Sequence, residues 1–579
     1  MKLRTLFCAT LVCPLALVAG QGQTKPVPTA VVSDIPHLRK QGTATQLTVD
    51  GKPFLVLAGE LSNSSATSVE YMKAVWPRLV AQTKLNTVLA GVSWNQVEPQ
   101  EGKFDFSVLD GVIQSARSHN LRLVLLWFAT WKNGLSSYPP DWVKRDFERF
   151  PRAQMVGDNT PWPVFGTTRS PVTGSLNIEL LSPFGDATRD ADARALAAVM
   201  RHIKAVDGRE HTVIMIQVEN EVGMQGDTRD RSPLANKAFA GPVPKELMDY
   251  LQQHKDTLIP VLRQVWEAAG FRTSGTWEEV FGKGRPADEI FMAWNFARYV
   301  NRVVEAGKAE YPIPMITNCP QDGFGKAPAP LRGGGQSGGP MPDAMDVWRA
   351  GAPRIDLFAA DIYSPDFVGF CAKYAQSGNP LFIPETRGDM EAKAIYAFGR
   401  HDAIGISLMG VERSPTPDPE MIRGFELIAQ LSPLIAKHQG KGTMSAVWLG
   451  PKDPPQKIQL GNYTLEVAFM RPRGLPGAPP LPEPFPSSAA IFIATGPDEF
   501  YAAGNSVSVT FAPNTPGPEH AGLGTVEEGT FVDGRWIPSR QIAGDETGQG
   551  QNLSLRSHPA DRIPDRYVGI QRFTLYRYR

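Results

Sequence analysis

Apolar and polar positions along this chain follow two regimes. Between about residues 44 and 435, short apolar runs alternate with segments in which apolar residues recur every three or four positions. The runs are Phe54 to Gly59, Asn86 to Val92, Leu121 to Phe128, Ile214 to Glu221, Ile313 to Asn318, Ile355 to Ile362, Leu381 to Glu385 and Ile404 to Met409. Runs of this length, apolar at most positions, predict strands buried on both faces, as in a parallel sheet. Leu196, Val199, Met200 and Ile203 share one helix face, and Phe291, Trp294, Tyr299 and Val303 give a similar stripe within Glu289 to Glu310. Eight strands alternating with helices favour a closed α/β barrel, the TIM (β/α)8 fold, over an open doubly wound sheet.

The second regime begins near residue 440. Tyr463, Leu465, Val467 and Phe469 alternate with other residues, as do Val507, Val509 and Phe511. Period two predicts strands with one buried face. Asp533-Gly534 reads as a hairpin turn. Residues 440–579 are therefore expected to form an all-β, sandwich-like domain, with Arg471 to Pro486 a proline-rich loop. The glycine cluster in Leu331 to Pro340 is expected to be a mobile loop and lacks the spacing of a dinucleotide fingerprint.

The N-terminus adds a targeting expectation. Lys2 and Arg4 precede an apolar stretch from Leu6 to Ala19, and Val18-Ala19-Gly20 offers small residues for cleavage. Residues 1–20 read as a signal peptide and 21–43 as a polar tether, so the mature protein is expected in the periplasm or outside the cell. The stretch is short for a bilayer span. Cys8 and Cys13 lie within it, leaving Cys319 and Cys371, which can pair but are expected as buried free thiols.

A formal net charge of zero gives no basic excess for a nucleic-acid partner. The absence of HExxH, paired CxxC and EF-hand patterns gives no reason to expect a metal, and no cofactor is expected. No GxSxG elbow is present either.

The candidate chemistry sits at strand ends. The fourth run ends in Glu219-Asn220-Glu221 and the seventh in Glu385-Thr386-Arg387. Carboxylates on buried strands are costly unless used, and the C-terminal ends of barrel strands are where catalysis sits. Alternation along a strand gives Glu219 and Glu221 one orientation and Asn220 the other, but past the strand end this loosens, leaving open which Glu faces the centre. Two carboxyls from different strands suit glycosidic hydrolysis, one as proton donor and the other as nucleophile or base. Asp361 and Glu412 also follow predicted strands and compete with Glu385, which can instead pair with Arg387. Trp94, Trp127, Trp131 and Tyr363 are placed to pack on sugar faces, with core packing the alternative for each Trp. Glu60 and Asn95 can bind sugar hydroxyls or simply bond their own loops.

At this point a family resemblance enters. Asn220-Glu221 after the fourth strand and Glu385 after the seventh resemble the signature of glycoside hydrolase clan A. Gln217-Val218-Glu219-Asn220-Glu221-Val222-Gly223 is similar to the acid/base motif of family 35, the β-galactosidases. Trp94-Asn95 with Glu98-Pro99, followed by Glu101-Gly102-Lys103-Phe104-Asp105-Phe106, resembles that family's strand-two motif. Gly59-Glu60-Leu61-Ser62-Asn63-Ser64 resembles a bacterial branch that carries a β domain after its barrel. The sequence departs from the common pattern at Val97, where a His is usual, at Val222, where a Tyr is usual, and at Thr386-Arg387-Gly388, where aromatics are usual. The resemblance implies a retaining mechanism with Glu221 as acid/base, Glu385 as nucleophile, Asn220 on the sugar 2-hydroxyl and Tyr363 on the nucleophile. It also implies a carboxyl separation of about 5–5.5 Å. The implied partner is a β-galactoside, with a homodimer possible. Another clan A activity (a β-glucosidase or endo-glycanase) and a non-catalytic carbohydrate-binding protein are the alternatives.

Overall fold

A computed structural model describes residues 35–154, 180–224, 227–319, 337–470, 487–555 and 569–579. The segment read as a signal peptide, most of the tether and the loop Arg471 to Pro486 lie outside these residues.

A small antiparallel sheet comes first: β1 (His37–Gln41), β2 (Ala44–Val49) and β3 (Lys52–Pro53). Residues 37–41 are thus a strand rather than tether. Their polar sequence hides this, because β1 is stabilised by pairing with the wholly buried β2. Leu47 and Val49 of β2 join the apolar side chains inside the barrel. Asp50, just after them, bonds Arg122 at 2.7 Å and His211 at 2.8 Å, both at the starts of barrel strands. The sheet therefore plugs the N-terminal end of the barrel.

Eight parallel strands close that barrel: β4 (Val56–Glu60), β5 (Thr87–Ser93), β6 (Arg122–Lys132), β7 (Val213–Asn220), β8 (Met315–Cys319), β9 (Leu357–Ile362), β10 (Phe382–Thr386) and β11 (Gly405–Met409). Each falls on one of the eight apolar runs. Val56, Leu89, Val124, Ile214, Ile316, Leu357, Phe382 and Ile404 pack together inside, which is the filled interior expected of such a barrel. The long helices Asp186–Asp207 and Arg285–Glu310 lie outside it and pack on one another.

The C-terminal part is β throughout, in two antiparallel sheets. Its strands are β12 (Met444–Leu449), β13 (Gln456–Leu460), β14 (Tyr463–Phe469), β15 (Ser488–Ala494), β16 (Glu499–Gly504), β17 (Val507–Pro513), β18 (His520–Val532), β19 (Arg535–Gln541), β20 (Leu553–Leu555) and β21 (Ile570–Tyr578). The order is β12-β15-β16-β21-β18-β19 in one sheet and β13-β14-β17-β20 in the other. Val447, Leu465, Val467, Phe492, Phe500, Val509 and Phe573 form the core between them. The larger sheet is buried on its second face as well: Ala489, Ile491, Ile493 and Ala503 join the barrel's own core. Gly399, on the helix Met390–His401, leaves no room for a Cβ, which would lie 2.7–2.8 Å from Ala446 and Ile491. The β domain is thus seated against the helix that follows β10.

Cys319 and Cys371 are both buried and are not joined to one another by a disulfide; the Cys319 thiol lies 2.9 Å from Met341 Sδ. The end of the predicted mobile loop is held in place: Ser337 forms a bridge with Met224, and the Trp348 indole donates to the Gly338 carbonyl at 3.1 Å. The rest of that loop, 331–336, lies outside the described residues. Among the described residues no helix is long and apolar enough to cross a membrane.

Candidate active site

Five strand ends converge on one cluster of charge at the C-terminal mouth of the barrel. Glu60 ends β4, Lys132 ends β6, Asn220 and Glu221 end β7, Asp361 lies near the end of β9 and Glu385 near the end of β10. Glu385 and Asp361 are direct neighbours in the β9–β10 register.

Glu385 is 6% exposed and held from two sides. The Tyr363 hydroxyl donates to its Oε2 at 2.6 Å, and Asn220 Nδ2 approaches its Oε1 at 3.5 Å. Among the described residues no ion pair joins it to Arg387, which is exposed and whose carbonyl instead accepts from Lys393 Nζ at 2.7 Å. Glu221 is half-buried. Burial first, and the Glu385 charge second, push its carboxyl up to about 7, against the opposing pull of Lys132 and a hydrogen bond with Asp361. The two carboxyls therefore stand in unlike settings, the pattern that separates a proton donor from a nucleophile.

Glu219 and Glu221 do not share an orientation. Both have left-handed backbone, φ 61° and 47°, on either side of Asn220, which for such residues costs roughly 1–2 kcal/mol each. This breaks the strand alternation. Glu221 and Asn220 face the mouth cluster, whereas Glu219 turns into the protein. There its carboxylate accepts the backbone N–H groups of Thr130 at 3.2 Å and Trp131 at 2.7 Å. Asp192 lies beside it, accepting from the Trp127 indole at 2.9 Å and the Thr130 hydroxyl at 2.7 Å. Burial raises the pKa of both carboxyls, and the charge of Asp192 lifts Glu219 further.

Glu60 is 1% exposed, and among the described residues neither of its carboxyl oxygens has a hydrogen-bond partner. Burial, then Glu385, holds its pKa well above the carboxylate range. Asp361 is raised by the same two causes in the same order. One of its oxygens accepts from Asn318 Nδ2 at 2.7 Å, and its carboxyl also bonds that of Glu221. Glu412, after β11, braces the segment that follows β4, taking the Ser62 N–H at 2.8 Å and the Ser65 hydroxyl at 2.6 Å.

The three tryptophans are core residues, a correction to the sugar-stacking expectation. Trp94, Trp127 and Trp131 are each 1% exposed or less. Each indole N–H is satisfied inside the protein, by Glu98, Asp192 and the Leu181 carbonyl, and Trp131 packs on Phe296 and Tyr299. No face is left for a sugar. Asn95 is exposed, and among the described residues no hydrogen bond joins it to the carboxyl cluster. Tyr363 keeps 36% exposure and is an aromatic residue hydrogen-bonded to Glu385.

Two residues of the site escaped the sequence reading. Lys132 places Nζ 2.8 Å from Asn220 Oδ1. Asn318 accepts the Glu221 N–H at 2.8 Å while donating to Asp361. Asn318 was signalled only by ending an apolar run, and Lys132 lies four residues past the end of one. Among the described residues no group of three or more His, Cys, Asp or Glu side chains is arranged to hold a metal ion.

Comparison with known proteins adds the following. Residues 72–282 match the family model of glycoside hydrolase family 42, described as beta-galactosidase. Residues 421–554 match a model described as a domain of unknown function, DUF5597. A β-galactosidase from Xanthomonas manihotis is 29% identical over 224 residues, 38% of this chain and 31% of that protein. Among solved structures, a β-galactosidase from Bacillus circulans sp. alkalophilus shares 14% identity at a TM-score of 0.41, covering 66% of this chain and 57% of that one. One from the haloarchaeon Halorubrum lacusprofundi shares 16% at 0.41, covering 65% and 58%. The chain thus spans about a third of the curated relative's length. The likeness is to glycoside hydrolases of clan A, and the family model matched is that of family 42 rather than family 35.

Proposed function

We propose that this chain is a retaining glycoside hydrolase that removes terminal non-reducing β-galactose from oligosaccharides or plant polysaccharide side chains. The observation that carries the reading is the unlike treatment of two facing carboxyls: Glu221 pushed up to about 7, and Glu385 gripped by Tyr363 and Asn220. In the first step a Glu385 oxygen attacks the anomeric carbon as the glycosidic C–O bond breaks, and the Glu221 proton passes to the leaving oxygen. In the second, Glu221 takes a proton from water, whose oxygen attacks the same carbon and releases Glu385. Asn220, whose Nδ2 is turned toward Glu385, would hold the sugar 2-hydroxyl. Galactose as the sugar is supported by two likenesses: the strand-end motifs to family 35 and the family-model match to family 42, both β-galactosidases.

A screen on nitrophenyl glycosides tests the reading. Turnover is expected on the β-galactoside, with Glu221→Gln slowing poor leaving groups far more than good ones while substrate binding persists. Unchanged turnover in Glu221→Gln would overturn the acid/base role, and turnover confined to a different sugar would overturn the substrate.

A further inference from the structure

The β6–β7 pairing contains an irregularity that leads to the reacting centre. Trp127 pairs with Val218, yet Lys132 pairs with Asn220. The chain advances by five residues on β6 for two on β7, so three extra residues are accommodated in β6. Such a bulge takes backbone N–H groups out of the ladder, and buried ones need another acceptor. Glu219 supplies it, taking the N–H groups of Thr130 and Trp131. The bulge brings Lys132 opposite Asn220, where the ammonium donates to Oδ1 at 2.8 Å. That bond fixes which way the amide faces: with Oδ1 on Lys132, Nδ2 is directed to Glu385. Lys132 is 7% exposed, also donates to Asn133 Oδ1 at 3.1 Å, and lies 4.8 Å from the centre of the Phe128 ring.

We propose that Lys132, delivered by the Glu219-supported bulge, is a positioning residue that orients the Asn220 amide toward the sugar 2-hydroxyl and Glu385 and supplies the positive charge opposing the carboxyl cluster. This rests on the glycosidase reading. The charged and titratable groups facing Glu221 are Glu385 from β10, Asp361 from β9 and Lys132 from β6, with Glu60 of β4 coupled to the same cluster. Lys132 is the one cation among them. Its charge lowers Glu221, Glu60 and Asp361 alike, so its removal leaves the acid harder to ionise.

The test compares the wild type with Lys132→Met, Lys132→Arg and Glu219→Gln on a nitrophenyl β-galactoside and its 2-deoxy analogue. Lys132→Met is expected to lose about 10–100-fold in kcat/KM on the galactoside, the scale of one charge-assisted hydrogen bond, and markedly less on the 2-deoxy substrate. The basic limb of its pH profile should move upward by about one unit, while Lys132→Arg keeps the limb in place. Glu219→Gln should show the same substrate discrimination in milder form. Equal losses on both substrates, or an unmoved limb in Lys132→Met, would overturn the proposal. If Lys132→Met is unfolded at the assay temperature, Lys132→Gln takes its place with the same limb shift expected. A wild type inactive on every glycoside would instead count against the glycosidase reading, which separates the two failures.

Discussion

Tyr363 donates its phenolic proton to Glu385 at 2.6 Å, the shortest bond this carboxylate makes, and does so from a side chain that is still 36% exposed. A donor so placed holds the carboxylate without being part of the core. Tyr363→Phe should therefore lower kcat by about 10–100-fold through loss of one hydrogen bond to a charged group. Its melting temperature should change little. Steady-state kinetics and a thermal melt on the same preparation check both; a large drop in stability would mean that Tyr363 is structural.

Trp127 should behave in the opposite way. It is buried, and its indole N–H satisfies Asp192. Trp127→Phe removes that donor and leaves a small void, at a cost of about 2–3 kcal/mol. Denaturant unfolding should register the loss while KM of the folded enzyme stays near the wild-type value. A raised KM with unchanged stability would restore Trp127 to the sugar site.

The carboxyl cluster predicts a sign for stability against pH. Glu221 is raised from 4.5 to about 7 on folding, so the folded state binds its proton more tightly than the unfolded chain does. The associated stability is fully present below the unfolded value and is lost as pH rises through about 7. Glu221→Gln should therefore stabilise the protein above pH 7 and matter less near pH 5. A half-buried group justifies an effect on the order of 2 kcal/mol. Unfolding free energies at the two pH values test this, and a variant less stable than wild type at pH 8 would contradict it.

The C-terminal β domain reaches the strand end that carries Glu385 through one helix. Met390–His401 is packed against Ala446 and Ile491 of that domain, and its Lys393 donates to Thr386 Oγ1 at 2.9 Å and to the Arg387 carbonyl at 2.7 Å, directly after Glu385. Asn505 of the β domain adds a 2.9 Å bond to Glu391 on the same helix. Lys393→Met should reduce kcat by about tenfold, the worth of one or two hydrogen bonds, with KM little altered. Wild-type kcat in that variant would show that the β domain does not support the Glu385 strand end.

The barrel was legible because its strands are buried on both faces and their runs are apolar at most positions. Glu221 and Glu385 were legible because charge at the end of such runs is conspicuous. Strand alternation alone did not separate Glu219 from Glu221, which only the family resemblance did, since the separation depends on left-handed backbone at both residues and on a bulge in the neighbouring strand. Lys132 was hidden by the same bulge: no count along the apolar run places it opposite Asn220. The tryptophans misled because burial and sugar stacking favour the same residue type at the same strand ends. Residues 37–41 misled because a polar strand paired with a buried one carries no apolar signal of its own.

The most direct test is to trap the covalent intermediate. Incubation with a 2-fluoro-β-galactoside bearing a good leaving group, followed by proteolysis and mass spectrometry, should place the sugar on Glu385. A label on Asp361, Glu412 or Glu60, or an α-configured product showing that the reaction inverts, would contradict the account.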